Sequence, residues 1–286
     1  MAATLETGTL HPLSATFEQI ERAANNHEYE EEYLDLRIGH PAETGWYTPA
    51  EIFADEGRLA RELMEKIGAE NQTSDASIMG NWFFGSYTWM LSSAGIGSFI
   101  AGRRVPDISI DNVAFKISPH GTPIGLALRQ ARFTALPDDP AAGHPDVTIV
   151  ADEVTLRETY REQYIAHLEQ VIPQVRAASR FGVGAMWIAA ADTCASMLIH
   201  LSKELSAGPV SQTDIDPFIT RKPLKAKSGI LEIEHNGEIH QFLDRASCCF
   251  YYKTGKEDAE KCSTCPLRPM EERVEQLVHY LENPDH

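Results

Sequence analysis

Residues 230–266 read ILEIEHNGEIHQFLDRASCCFYYKTGKEDAEKCSTCP, and two patterns meet in them. Ile230-Leu231-Glu232-Ile233 and Glu238–Phe242 flank His235-Asn236-Gly237. This predicts a β-hairpin, because Asn-Gly accepts the left-handed backbone that a tight turn requires. Directly behind it stand Cys248-Cys249 and Cys262-Ser263-Thr264-Cys265, four of the chain's five cysteines. A hairpin that runs into a thiol-rich loop is not a step in an alternating βαβ chain, so the segment favours α+β over a doubly wound sheet.

Thiolates are soft, charged ligands, and four of them converging is the usual way to hold zinc or an iron–sulfur cluster. Two C-x-x-C pairs commonly build a tetrahedral zinc site, but only the second half here has that form. Neighbouring side chains of an extended strand face opposite ways, so one small ion held by both Cys248 and Cys249 requires a sharply folded backbone at Ser247-Cys248-Cys249. A [2Fe–2S] rhomb offers two irons and takes an adjacent pair with less distortion. On spacing alone a cluster, a zinc site and a dithiol switch all remain open. A disulfide scaffold fits less well, since such scaffolds are short and secreted. This chain has 286 residues, and MAATLETGTLHPLSATFEQIE shows neither a basic n-region nor a long apolar h-region. A thioredoxin-type motif would follow a strand in a βαβ unit, whereas Cys262 follows a Lys/Glu-rich loop.

The run Cys248-Cys249-Phe250-Tyr251-Tyr252, followed after a Gly-containing loop by Cys262-Ser263-Thr264-Cys265-Pro266-Leu267, resembles the C-terminus of the ferric siderophore reductases of the FhuF kind. In that family a Cys-Cys pair, a spacer and a C-x-x-C-P hold one [2Fe–2S] cluster. The similarity covers residues 245–273, and a looser one reaches Gly80–Asn112 through Trp82, Trp89 and the Val105-Pro106-Asp107-Ile108 turn. The spacer, residues 250–261, is two residues longer than the family's. The extra length falls in hydrophilic Lys253–Lys261, where a longer surface loop is easily accommodated.

The resemblance implies that Cys248, Cys249, Cys262 and Cys265 ligate a [2Fe–2S] cluster, with Phe250, Tyr251, Tyr252 and Leu267 shielding one side. It implies an oxidoreductase acting on metal ions: a cytoplasmic ferric siderophore reductase that releases iron by one-electron reduction of Fe(III) to Fe(II). Hydroxamate-type siderophores are the expected substrates, and a ferredoxin-like or other external reductant the donor. Two rival readings keep the same thiols. One is a zinc-stabilised siderophore-binding module without redox activity, the other an electron-carrier protein.

Lys and Arg number 25 against 42 Asp and Glu, a formal net charge of −17. Such a surface repels nucleic-acid phosphates and anionic bilayers, which excludes both as bulk partners and favours neutral or cationic ligands. Arg221-Lys222-Pro223-Leu224-Lys225-Ala226-Lys227 is the basic exception. Its four cations form a candidate dock for an anionic ligand or an acidic electron donor, set against the simpler reading of a solvated loop. The apolar stretches Trp82–Ala101 and Gly182–Leu201 read as core helices, the second interrupted by Asp192 and His200, so no membrane span is expected. A cytoplasmic location agrees with unoxidised thiols.

Working outward, Pro269–Leu281 reads as a closing amphipathic helix and residues 207–229 as a Pro-rich linker or substrate loop. Helices are expected at Asp152–Val171 and Gly182–Leu205, and strands at Ile108–Ile117, Ile124–Leu136 and Val147–Ala151. An acidic helix is expected at Leu13–Tyr33 and a glycine-rich one at Ala76–Ala101. Thr48-Pro49-Ala50-Glu51 is a capping box, opening a helix with Ile52, Leu59, Leu63 and Ile67 inward and Gly68 at its end. The expected fold is α+β, with a helical N-terminal part, a central antiparallel sheet with packed helices and a C-terminal iron–sulfur segment. The divisions are an N-terminal helical extension (1–46), an α+β substrate-binding body (47–243) and the cluster segment (244–286).

Other patterns point to no chemistry of their own. Gly95-x-Gly97 and Gly182-x-Gly184 do not complete a dinucleotide fingerprint and read as helix-packing glycines. His235 and His240 flank the hairpin turn, near the cluster or simply on the surface, and no Cys-x-His pair supports Rieske ligation. No G-x-S-x-G is present. Arg103-Arg104 ends an apolar helix, where cations complement the dipole. Cys194 reads as a buried apolar side chain, and Trp82, Phe83, Phe84, Trp89 and Trp187 as core or as a siderophore groove.

Overall fold

Residues 76–102, ASIMGNWFFGSYTWMLSSAGIGSFIAG, have no polar face, and a helix apolar all round must be covered on every side. The fold of the computed structural model, which describes residues 10–25 and 34–283, is arranged around that helix. The elements begin α1 (Pro12–Ala24), β1 (Asp35–Ile38), β2 (Trp46–Tyr47), α2 (Pro49–Ile52), α3 (Ala54–Glu70), α4 (Ala76–Gly102) and β3 (Arg104–Pro106). They continue β4 (Val113–Ile117), β5 (Pro123–Leu128), β6 (Phe133–Ala135), β7 (Val147–Ile149), α5 (Glu153–Ser179) and α6 (Val183–Glu204). Last come α7 (Gln212–Ile219), β8 (Thr220–Arg221), β9 (Leu224–Lys225), β10 (Gly229–His235), β11 (Glu238–Asp244) and α8 (Met270–Glu282).

Asp75 starts α4 by accepting the Ser77 N–H at 2.8 Å, and α1, α3, α5, α6 and β5 then enclose the helix. Close approach depends on its small residues. A Cβ on Gly95 would lie 2.2 Å from the Tyr160 ring of α5, so this glycine is a packing device and not part of a nucleotide loop. Gly182 and Gly184 make no comparably tight approach, and Gly182 is the N-cap of α6. One apolar cluster runs from Leu13 and Phe17 of α1 through Tyr87 and Tyr160 to Phe218 and Leu224.

The main sheet has the order β1-β5-β4-β2. β5, β4 and β2 are antiparallel as expected, while β1 adds a parallel edge on β5, pairing Asp35–Ile38 with Gly125–Leu128. Ile110–Asn112 forms a turn, so β4 begins later than the apolar pattern suggested, and the long strand expected at 124–136 divides into β5 and β6. The Thr48/Glu51 capping box is present but opens a single turn. Asp55, Glu56 and Gly57, at positive φ, bend the chain before α3 continues with Leu63 and Ile67 buried. α1 ends at Ala24, and residues 26–33 of the longer expected helix lie outside the described residues.

Residues 207–229 are more ordered than a linker. Ser211 and Asp214 form a capping box that opens α7, whose Ile215, Phe218 and Ile219 enter the core, and β8–β9 form a small hairpin. Pro217 concealed this helix from the sequence pattern. Arg104 anchors α1 to β3: its guanidinium pairs with Asp139 at 2.8 and 2.9 Å and donates to the Pro12 carbonyl at 2.7 Å. α6 is long and apolar enough to cross a membrane, yet more than half of it is buried against the rest of the protein and its Asp192 is hydrogen-bonded inside.

Candidate metal centre

The Asn236-Gly237 turn, both residues at positive φ, closes β10 and β11 in the expected register, His235 opposite Glu238. β11 ends at Asp244, which Arg273 of α8 grips in an ion pair. The chain then bends at Ala246 and Ser247 and delivers the first two thiols. Asp192 of α6, 3% exposed, holds that bend. Its carboxylate accepts the Ala246 N–H at 3.1 Å and the Ser247 N–H at 2.6 Å, together with the hydroxyls of Ser247 and Ser228. A buried anion is tolerated when donors surround it in this way, and here the donors belong to the ligand loop itself.

The next residues are pinned from the opposite side by α4. The Trp82 indole donates to the Cys249 carbonyl at 2.6 Å, and the Asn81 amide reaches the carbonyls of Cys248 and Cys249 at 3.4 and 3.3 Å. Phe250 takes a left-handed conformation (φ 60°), and its N–H turns back to the Cys248 Sγ at 3.4 Å. A non-glycine residue at positive φ is strained by about 1–3 kcal/mol and persists where its surroundings over-determine it. These bonds hold the backbone folded at the adjacent cysteine pair.

The second half of the cysteine set is a tight turn, with the Cys265 N–H on the Cys262 carbonyl at 3.0 Å. Arg268 braces it by donating to the carbonyls of Lys261 and Cys262. The spacer is docked as well as exposed: Gly255 N–H bonds the Gln72 carbonyl at 3.0 Å, and Tyr251 donates to Asp258 at 2.8 Å.

The four thiols are all free and meet crosswise. Cys249 and Cys262 Sγ lie 3.9 Å apart, and Cys248 interacts with Cys265, so each pair takes one cysteine from each half. Thiolates at ~2.3 Å from one tetrahedral metal are necessarily ~3.8 Å apart, so the 3.9 Å pair already has the spacing of ligands to a single metal. The Cys249 S–H donates to Cys262, which holds the Cys262 thiol below its ordinary range and pushes Cys249 up. The Arg245 guanidinium, 3.9 Å from Cys262 Sγ, favours the same thiolate. Metal ligation needs thiolates, and both contacts act in that direction on Cys262. Cys248 is raised by burial. Cys194 lies apart in the core, 0% exposed, its thiol pushed up to about 12 by burial, which makes it an inert packing residue.

Residues 245–267 match the family model described as the FhuF 2Fe-2S C-terminal domain. No curated protein matches the chain. The FhuF 2Fe-2S domain and its four convergent cysteines point to a [2Fe–2S] cluster.

A cavity of about 470 Å³ opens against this domain between α4 and α6. Cys248 and Cys249 form part of its wall with Trp82, Trp89, Arg245 and Thr264. The aromatics that sequence reading grouped together therefore divide: Phe83 and Phe84 are fully buried core, while Trp82 and Trp89 face the cavity. Tyr251 lies near Trp82 with ring centroids 6.4 Å apart, but Leu267 is 51% exposed and shields little. Neither His235 nor His240 lines this cavity, and none of Arg221, Lys222, Lys225 and Lys227 does. Arg221 is paired with Glu158 at 2.6 Å, while the three lysines are exposed. Sequence reading missed Asp192, Asn81 and Arg245 as site residues. The one local signal was a carboxylate in the middle of an apolar helix.

A second titratable group, His11, His144 and Asp146, lies at the N-terminus of α1. Both imidazoles accept a backbone N–H at Nδ1, from Leu13 and Asp146 respectively. Each neutral ring then carries its proton on Nε2 and offers no free lone pair to a metal.

Proposed function

We propose that this protein is a one-electron reductase of ferric siderophores, working in a reducing, cytoplasmic compartment. One observation carries the reading: the Cys248-Cys249 pair forms part of the wall of a half-open cavity of about 470 Å³, instead of lying on a flat surface. An electron carrier needs only an exposed edge for brief protein contacts, and a structural zinc knot needs no cavity. The match of residues 245–267 supports the cofactor, and the family resemblance supports the substrate class.

Cys248, Cys249, Cys262 and Cys265 would hold the [2Fe–2S] cluster, which when bound supplies one electron at a time. The protein's own groups arrange the rest. Asp192, Asn81 and Trp82 hold the ligand loop against α4 and α6, so that little reorganisation accompanies a change of charge. Trp82 and Trp89 offer flat apolar faces to a chelate and displace water from around it. Arg245 places a cation beside Cys262 and the cavity, where it favours added negative charge. The substrate's Fe(III), bound by hard oxygen donors, accepts one electron and becomes the larger, less charged Fe(II), which those donors hold far less tightly. No covalent bond of the siderophore breaks and no general acid or base is required. Lys222, Lys225 and Lys227, exposed and outside the cavity, are the candidate dock for an acidic electron donor.

The test is anaerobic purification, chemical reduction, and addition of a ferric trihydroxamate with an Fe(II)-specific dye present. A red-brown protein that releases one equivalent of Fe(II) per electron stored supports the reading. A colourless zinc protein, or a reduced cluster that persists in the presence of every ferric chelate, overturns it.

A further inference from the structure

The cavity beside the cysteines has a neighbour farther along α6. A second cavity of about 840 Å³ shares Ser196 of α6 and Leu243 of β11 with it as walls. The second cavity follows α6 past Ile199 and His200, is walled by β11, and ends at Tyr280 and Leu281 of α8. Its size lies in the ~300–1,000 Å³ range of small-molecule sites. Two large apolar side chains on its lining are left open to solvent, Ile239 at 66% and Tyr280 at 50% exposure. Tyr280 is held there edge-on to Phe242, with ring centroids 6.3 Å apart. The charged lining has a sign: Glu204, Glu232 and Glu238 face it against a single lysine, Lys203.

We propose that the second cavity is a binding site for the organic arm of the ferric chelate, an elongated chain of alkyl and amide groups that is neutral or cationic. The inference rests on the reductase reading and assigns its substrate a second point of attachment. The iron centre occupies the first cavity against Cys248 and Cys249, and the arm passes between Ser196 and Leu243. Alkyl segments then cover Ile239 and Tyr280, while the carboxylates of Glu232 and Glu238 attract a terminal amine and repel an anionic arm. Binding energy from this remote contact holds the iron centre still for electron transfer.

Gallium(III) chelates separate this claim from the redox claim, because gallium(III) has the shape of ferric iron and takes no electron under these conditions. The probes are gallium(III) desferrioxamine B, a linear trihydroxamate with a free amine, and gallium(III) tris(acetohydroxamate), which has no arm. Binding is read by quenching of tryptophan fluorescence, since Trp82 and Trp89 line the first cavity. Ile239→Ser with Tyr280→Ser, both at exposed positions, are expected to weaken the long chelate about tenfold, ~1.4 kcal/mol, and to leave the armless one unchanged. Glu238→Lys is expected to weaken the cationic chelate further than its N-acetylated, neutral form. Equal loss for both chelates, or no loss for either, overturns the arm site while leaving the reductase reading intact. If neither gallium chelate binds and neither ferric counterpart is reduced by wild-type protein, the reductase reading fails, and the arm site fails with it.

Discussion

Asp192 offers a sharp test of how the ligand loop is held. In Asp192→Asn one carboxylate oxygen becomes an NH₂ group of nearly the same shape. On one side that oxygen serves the Ala246 N–H and the Ser228 hydroxyl; on the other it serves the Ser247 N–H and hydroxyl. A hydroxyl can rotate and accept from the new donor, but a backbone N–H cannot. Whichever way the amide turns, one half-buried N–H loses a charge-assisted bond and faces another donor, which costs about 1.5–3 kcal/mol. The cost falls on the arrangement that brings Cys248 and Cys249 against Cys262 and Cys265, so the ligand-ready population drops by about 10- to 100-fold. The assay is reconstitution with iron and sulfide, then decay of the visible absorption in excess chelator, with far-UV circular dichroism as a control for folding. Cluster loss is expected to accelerate by at least an order of magnitude in a protein that keeps its helical signal. Ser247→Ala removes a single hydroxyl and is expected to have a smaller effect, about 1 kcal/mol. A folded Asp192→Asn protein with the wild-type cluster lifetime would refute the assignment of Asp192 as the clamp of this loop.

Changing any one of Cys248, Cys249, Cys262 or Cys265 to Ser should abolish or strongly destabilise the visible and EPR spectrum, whereas Cys194→Ser should leave it intact; the reverse pattern would overturn the ligand assignment. Deleting two residues within Glu257–Glu260, Asp258 among them, removes the exposed Asp258 bond to Tyr251 but not the Gly255 contact with Gln72, so the cluster should survive, and a colourless soluble product would show that the loop shapes the site. His167, 1% exposed, accepts from the Tyr87 hydroxyl and donates to the Ile108 carbonyl, and burial lowers its pKa to about 4. Between that value and its ordinary 6.5 the unfolded chain takes up a proton that the native state refuses, so stability should fall as pH drops through this window, by up to ~3 kcal/mol. Denaturant titrations of wild type and His167→Gln from pH 7 to 4 should show a shallower slope for the variant, and parallel slopes would count against this source.

The chemistry of the C-terminal segment was legible because its determinants are close in sequence. Four thiols within eighteen residues, an Asn-Gly turn and a capping box each act through neighbours a few positions apart. Composition and the failure of strands and helices to alternate were likewise enough for the α+β class. The tertiary structure decided what lies far apart in the chain. Asp192 meets Ala246 and Ser247 across more than fifty residues, and Asn81 and Trp82 meet Cys248 and Cys249 across more than a hundred and sixty. A lone acid in an apolar helix carries no sign of its donors until the helix is packed. The crosswise pairing of Cys249 with Cys262 and the division of the aromatics into core and cavity wall have the same origin. So does the parallel edge strand β1, which needs β5 brought beside it from nearly ninety residues away. Short-range patterns state which thiols are present; only the packing of α4 against α6 determines what space those thiols face.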